Sequence, residues 1–97
     1  MNNNAMTAPG YTKPLGYVQI TSLSSAVGLG TIPAGAQWAL IQPETQSIRY
    51  RDDGTNPTSS VGMILAAGSF LQLTSALFNF KAIEVSASAK LNVTFYG

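Results

Sequence analysis

The amino-acid sequence predicts an all-β domain, a small antiparallel β-sandwich or jelly-roll-like barrel with an extended N-terminal arm. Three observations lead there. Short runs alternate polar and apolar residues with the period of two that half-buried strands require. Gly, Pro, Asn and Asp interrupt those runs at roughly the eight- to twelve-residue spacing of sandwiches and barrels. No stretch long enough for a stable helix carries a helical period of apolar side chains. With 97 residues, the chain divides into the arm, residues 1–14, and one β-sandwich domain, residues 15–97, large enough to bury a core.

The arm, MNNNAMTAPGYTKP, holds three consecutive Asn, two Pro and one Gly. It has no apolar period and is not expected to order by itself, but against a neighbouring copy or back on its own domain. Residues 15–23 follow, with the β-formers Tyr17, Val18 and Ile20 closed by Ser24 and Ser25. Residues 26–36 are Gly-rich and end in the turn Pro33-Ala34-Gly35. A second strand spans residues 37–42 (QWALIQ) and is expected to stop at Pro43. In residues 46–51, Ile48 and Tyr50 share one face, and Ser47, Arg49 and Arg51 the other. Asp52-Asp53-Gly54 is a turn sequence, and residues 55–60 form a loop around Pro57.

Residues 62–65 and 69–74 flank Ala66-Ala67-Gly68, which reads as a hairpin connection. Residues 75–79 are long enough for one helical turn. Residues 80–86 set Lys81, Ile83 and Val85 against Ala82, Glu84 and Ser86. Residues 90–96 set Leu91, Val93 and Phe95 against Asn92, Thr94 and Tyr96. The expected total is seven or eight short strands.

Composition narrows the function. Charged residues make up only 9% of the chain and the formal charge is +1. That is no electrostatic footprint for nucleic acid or an anionic membrane. It also leaves little repulsion to hold copies apart, as suits a subunit that buries its surface in an assembly. The absence of His and Cys removes the commonest general base, thiolate chemistry and a disulfide framework, and fits a chain made in a reducing cytoplasm. No apolar run reaches membrane-spanning length, and the N-terminus lacks the basic and apolar regions of a signal peptide.

Candidate chemistry is sparse. Asp52, Asp53, Thr55 and Asn56 offer oxygens for a cation, but their spacing is not that of a calcium loop, and a hydrogen-bonded turn is the better reading. Glu44 and Glu84 are not placed together by any pattern, so a hydrolytic carboxylate pair is not expected. Asn92-Val93-Thr94 is a formal glycosylation triplet inside a strand. No cofactor, metal or catalytic residue is assigned, and an enzyme is not expected.

The charge itself is concentrated. Four of the chain's nine charged residues, Arg49, Arg51, Asp52 and Asp53, lie within five positions around Tyr50. Three readings compete. They pair with one another on an exposed strand end; they form reciprocal Arg–Asp pairs across a symmetric interface; or they bind a carboxylate or sugar beside Trp38 or Tyr50. Together with Asn2, Asn3, Asn4 and Tyr11 of the arm, these four are the candidate interface. Trp38, inside QWALIQ, is better explained as core than as a ligand platform.

The stretch WALIQPETQSIRYRDDGTNPTSSVGMILAAGSFLQL, with AKLNVTFYG near the C-terminus, resembles small β-rich proteins encoded among the structural genes of tailed bacteriophages. The shared pattern is an ALIQ strand (residues 39–42), an aromatic between two basic residues (49–51), DDG (52–54), a PT loop (57–58), VGM (61–63) and a closing strand (91–96). The resemblance spans residues 38–96 and leaves the arm unmatched. It implies a non-enzymatic virion structural protein, made in the host cytoplasm. A capsid decoration or cement subunit that stabilises the head comes first, and a tail, connector or fibre-associated subunit second. The partners it implies are copies of the chain itself, as a trimer, and other virion proteins such as the major capsid protein. A different class of function also stays open: a carbohydrate-binding module for host surface glycans, with Trp38, Tyr11, Tyr17, Tyr50 and Tyr96 as platforms.

Overall fold

In a computed structural model of the chain, residues 12–97 are described. Among them are seven strands in two antiparallel sheets, so of the two expected architectures the sandwich is the one that forms. The strands are β1 (Pro14–Ile20), β2 (Trp38–Glu44), β3 (Ile48–Arg51), β4 (Met63–Leu65), β5 (Leu71–Leu73), β6 (Lys81–Glu84) and β7 (Lys90–Tyr96). One sheet has the order β1-β7-β2-β5 and the other β4-β3-β6. The expected helical turn is a 3₁₀ turn at Leu77–Asn79.

Alternation selects the core. In β7, Leu91, Val93 and Phe95 are buried, while Asn92, Thr94 and Tyr96 face outward. Ala39, Ile41 and Pro43 of β2 join them, and Ile48 of β3, Phe80 and Ala82 complete the contact from the three-stranded sheet. The alternation expected for residues 80–86 holds over Lys81–Glu84, where the strand ends short of Val85 and Ser86, and the smaller set turns inward. Ala82 is fully buried and Ile83 half-buried on the outer face. The connection from β1 to β2 also contributes, burying Leu23 and Leu29. It lines the β6 edge through the reciprocal bonds of Val27 and Ala82 (2.9 and 2.8 Å) and the Glu84 amide donating to the Leu23 carbonyl. Its Pro33–Gly35 turn forms as expected, closed by the Ala36 amide on the Pro33 carbonyl at 3.1 Å.

Two expectations need correction. β2 does not stop at Pro43 but runs through it to Glu44, with Pro43 in register with Leu91. Pairing with β5 ends at Ile41, so the missing Pro43 N–H falls where no strand asks for it. The Pro43 carbonyl, on the same side, accepts the Gly68 amide at 2.9 Å. That bond also overturns the hairpin. The 66–69 turn closes, with the Ser69 amide on the Ala66 carbonyl at 3.0 Å, yet β4 and β5 do not pair. Attachment of Gly68 to β2 carries the chain across to the opposite sheet.

The two ends of the described segment meet. Lys13 exchanges both backbone hydrogen bonds with Gly97 (2.9 and 3.0 Å), extending the β1–β7 pairing. The first strand therefore begins at Pro14, inside the expected arm, and Lys13 and Thr12, also read as arm, are held at the end of the sheet. Asn2, Asn3, Asn4 and Tyr11 lie outside the described residues.

Candidate functional site

The charged strand end is built by β3 and the loop that follows it. Alternation puts Ile48 and Tyr50 inward and Arg49 and Arg51 on the outer face, as expected. Tyr50 stacks on Phe80 with ring centroids 5.4 Å apart. Burial raises its hydroxyl pKa above the ordinary 10.0, and the nearby Asp52 carboxylate adds to this. The two arginines then diverge. Arg51 donates two bonds to Asp53, Nε to Oδ1 at 3.1 Å and Nη2 to Oδ2 at 2.5 Å. Arg49 reaches into the loop, where Nε meets the Ser59 carbonyl at 3.1 Å and Nη1 the Gly62 carbonyl at 2.8 Å.

Asp53 is further occupied by the Thr55 amide at 3.2 Å, the turn bond expected of it. Its bond from Arg51, and then the Thr55 amide, hold the Asp53 carboxyl below its ordinary 3.8. The structure thus brings Arg51 and Asp53 together within one chain, turns Arg49 to loop carbonyls, and leaves Asp52 exposed beside Tyr50. No group of metal-ligating side chains gathers here or elsewhere among the described residues. Glu44 and Glu84 stand in different sheets; Glu84 Oε1 accepts the Ala89 amide at 3.3 Å and closes the turn before β7.

The expected aromatic platforms are mostly taken. Trp38 is buried, as expected, but on the outer face of the four-stranded sheet rather than in the core between the sheets. It stacks on its register partner Tyr96 with centroids 4.2 Å apart and planes 10° from parallel. Its Nε1 donates to Thr12 Oγ1 at 3.3 Å. The residue at 38 thus clamps Thr12 onto the sheet.

Tyr17 is different. Its ring is exposed, and its hydroxyl donates to Asn92 Oδ1 at 2.6 Å. It forms one side of a groove of about 400 Å³ over the outer face of the four-stranded sheet, with Phe70 on the lining as well. Gln19 Nε2 donates to Asn92 Oδ1 (3.0 Å) and Glu44 Oε1 (3.3 Å), and Asn92 Nδ2 donates to the same Glu44 oxygen (3.1 Å). Sequence reasoning missed this groove because its residues come from separate strands. The available signal was the polar half of each alternation; the register that unites those halves was not.

A second surface is apolar. At the edge of the three-stranded sheet, β4 pairs among the described residues only with β3. Met63 is 63% and Ile64 58% exposed there, with Val61 exposed just before them. Ile64, Arg49 and Ile83 form one outward row across β4, β3 and β6. No family model matches the chain, and neither a curated protein nor a solved structure does.

Proposed function

We propose that this chain is a non-enzymatic structural subunit of a tailed-phage virion, in the first place a decoration or cement protein of the head. It works by being buried, against copies of itself and against neighbouring virion proteins. The observation that carries this reading is the uncovered β4 edge. Natural sheets protect an open edge with charge, proline or a covering segment, and here Val61, Met63 and Ile64 face solvent instead. The charges nearest to it do not offset that exposure, because Arg49 and Arg51 are engaged within their own chain. A block with a formal charge of +1 and an apolar edge gains by association. The resemblance across residues 38–96 supplies the kind of assembly.

The internal Arg51–Asp53 pair also bears on how copies meet. Exchange of that pair between copies would require breaking one already made, so the apolar row around Ile64 is the better seam. Quantitative gels of purified phage particles test the proposal. The expected result is the chain present at the copy number of a head protein. A copy number matching tail components moves it to the tail, connector or fibre, and its absence from particles overturns the reading.

A further inference from the structure

The outer face of the four-stranded sheet is untouched by the assembly reading. Register aligns Tyr17 with Thr94 and Leu40, and Gln19 with Asn92 and Gln42, so two rows of side chains cross β1, β7 and β2. Tyr17 and Phe70, 62% and 68% exposed, belong to opposite sides of that face, β1 and the start of β5. We infer that this groove is a binding site for a neutral oligosaccharide.

Three features of the groove point to that ligand. A sugar ring presents an apolar C–H face and a rim of hydroxyls that both donate and accept. The groove offers the complement: exposed aromatic rings at its sides and amides with one carboxylate on its floor. Secondly, the floor is already ordered. The Tyr17, Gln19, Asn92 and Glu44 side chains fix one another through four hydrogen bonds, so little rotamer freedom is left to lose on binding.

Capacity remains for a ligand. Both bonds to Glu44 fall on Oε1, and no donor among the described residues meets Oε2. Gln42 Nε2 makes only a long 3.4 Å bond to the Gly68 carbonyl, readily exchanged for a hydroxyl. Thirdly, charge and width select among ligands. The lining contains one carboxylate and no cation, which disfavours phosphates and acidic sugars. From β1 to β5 there are three strand intervals, about 14 Å at the usual inter-strand spacing, a span for linked sugars rather than one. An added peptide strand would need open backbone edges, and this face presents side chains.

The inference stands independently of the virion proposal, which is read from particle composition. The full chain is tested on an array of neutral hexose and N-acetylhexosamine oligosaccharides, and the strongest binder is titrated by two-dimensional NMR. Expected are shifts confined to residues 17–19, 40–44, 70 and 92–94. Tyr17→Ala and Gln42→Ala should each weaken binding by about tenfold, the equivalent of 1.4 kcal/mol, with melting temperature held. Arg51→Ala should bind like the parent. The inference is overturned by an array without neutral binders, by a preference for acidic glycans, or by binding that both groove variants leave intact. It is overturned too if the same residues shift with protein concentration alone and deletion of residues 1–11 abolishes that, since the occupant would then be another copy's arm.

Discussion

Arg49→Ala is expected to unfold this domain more readily than any other change in the charged cluster. The guanidinium ties β3 to the loop that returns to β4, through the Ser59 and Gly62 carbonyls at 3.1 and 2.8 Å. The Gly62 bond is partly shielded, and a charge-assisted bond of that kind contributes about 1.5–3 kcal/mol. The exposed Ser59 bond adds less. A loss near 2 kcal/mol, at roughly 4–8 °C per kcal/mol for a domain of this size, lowers the melting temperature by about 8–16 °C. Arg49→Met separates causes, because it keeps the apolar stem between Ile64 and Ile83 but removes the donors. Thermal denaturation followed by circular dichroism on both variants, beside Arg51→Ala, is the assay. Arg51→Ala breaks only an exposed pair with Asp53 and should melt close to the parent. An Arg49→Met variant that melts within about 2 °C of the parent, at most half a kcal/mol on the same scale, would refute this role of the Arg49 donors.

Four further outcomes follow from local geometry and charge. Gly62→Ala should destabilise by about 1–3 kcal/mol, since φ is +142° and the new Cβ would lie 3.1 Å from the Tyr50 carbonyl oxygen and 3.2 Å from Arg49 Cβ. Gly30→Ala, with φ +78° and nothing within 4 Å, should cost less in the same denaturant titration. Tyr50 has a folded pKa raised above 10.0, so its contribution is complete below pH 10 and is lost as pH rises through the folded value. Tyr50→Phe should therefore flatten the alkaline limb of a stability–pH curve. Asp53 is shifted the opposite way, below 3.8. Its contribution is present above that pH and fades as pH falls through the depressed value, so Asp53→Asn should lower the neutral plateau slightly and flatten the acid limb.

Residues 90–96 were fully legible because β7 is central in its sheet with one face buried, so each side chain reports its face. Residues 46–51 were legible for the same reason. The turn at 66–69 was recognised and its consequence misread. A turn sequence specifies local φ and ψ, whereas the choice of sheet was made by the Gly68 amide bonding to Pro43, twenty-five residues upstream. Pro43 itself looked like a strand end because the sequence does not show that β5 stops short of it. Trp38 was expected to be buried and is, but β2 carries apolar residues on both faces there, and alternation is silent about which one Trp38 takes. The charged cluster was visible as a cluster, and its split into one ion pair and one loop anchor depends on where Ser59 and Gly62 return.

If the β4 edge is where copies associate, the solution mass of the purified chain by light scattering shows it. The parent should form a closed oligomer, expected as a trimer, across the concentration range. Ile64→Lys should shift it to monomer while melting as the parent does, because Ile64 points away from the core. A parent that is monomeric at every concentration, or an Ile64→Lys variant that keeps the parental mass, would contradict the claim that this edge is an assembly surface.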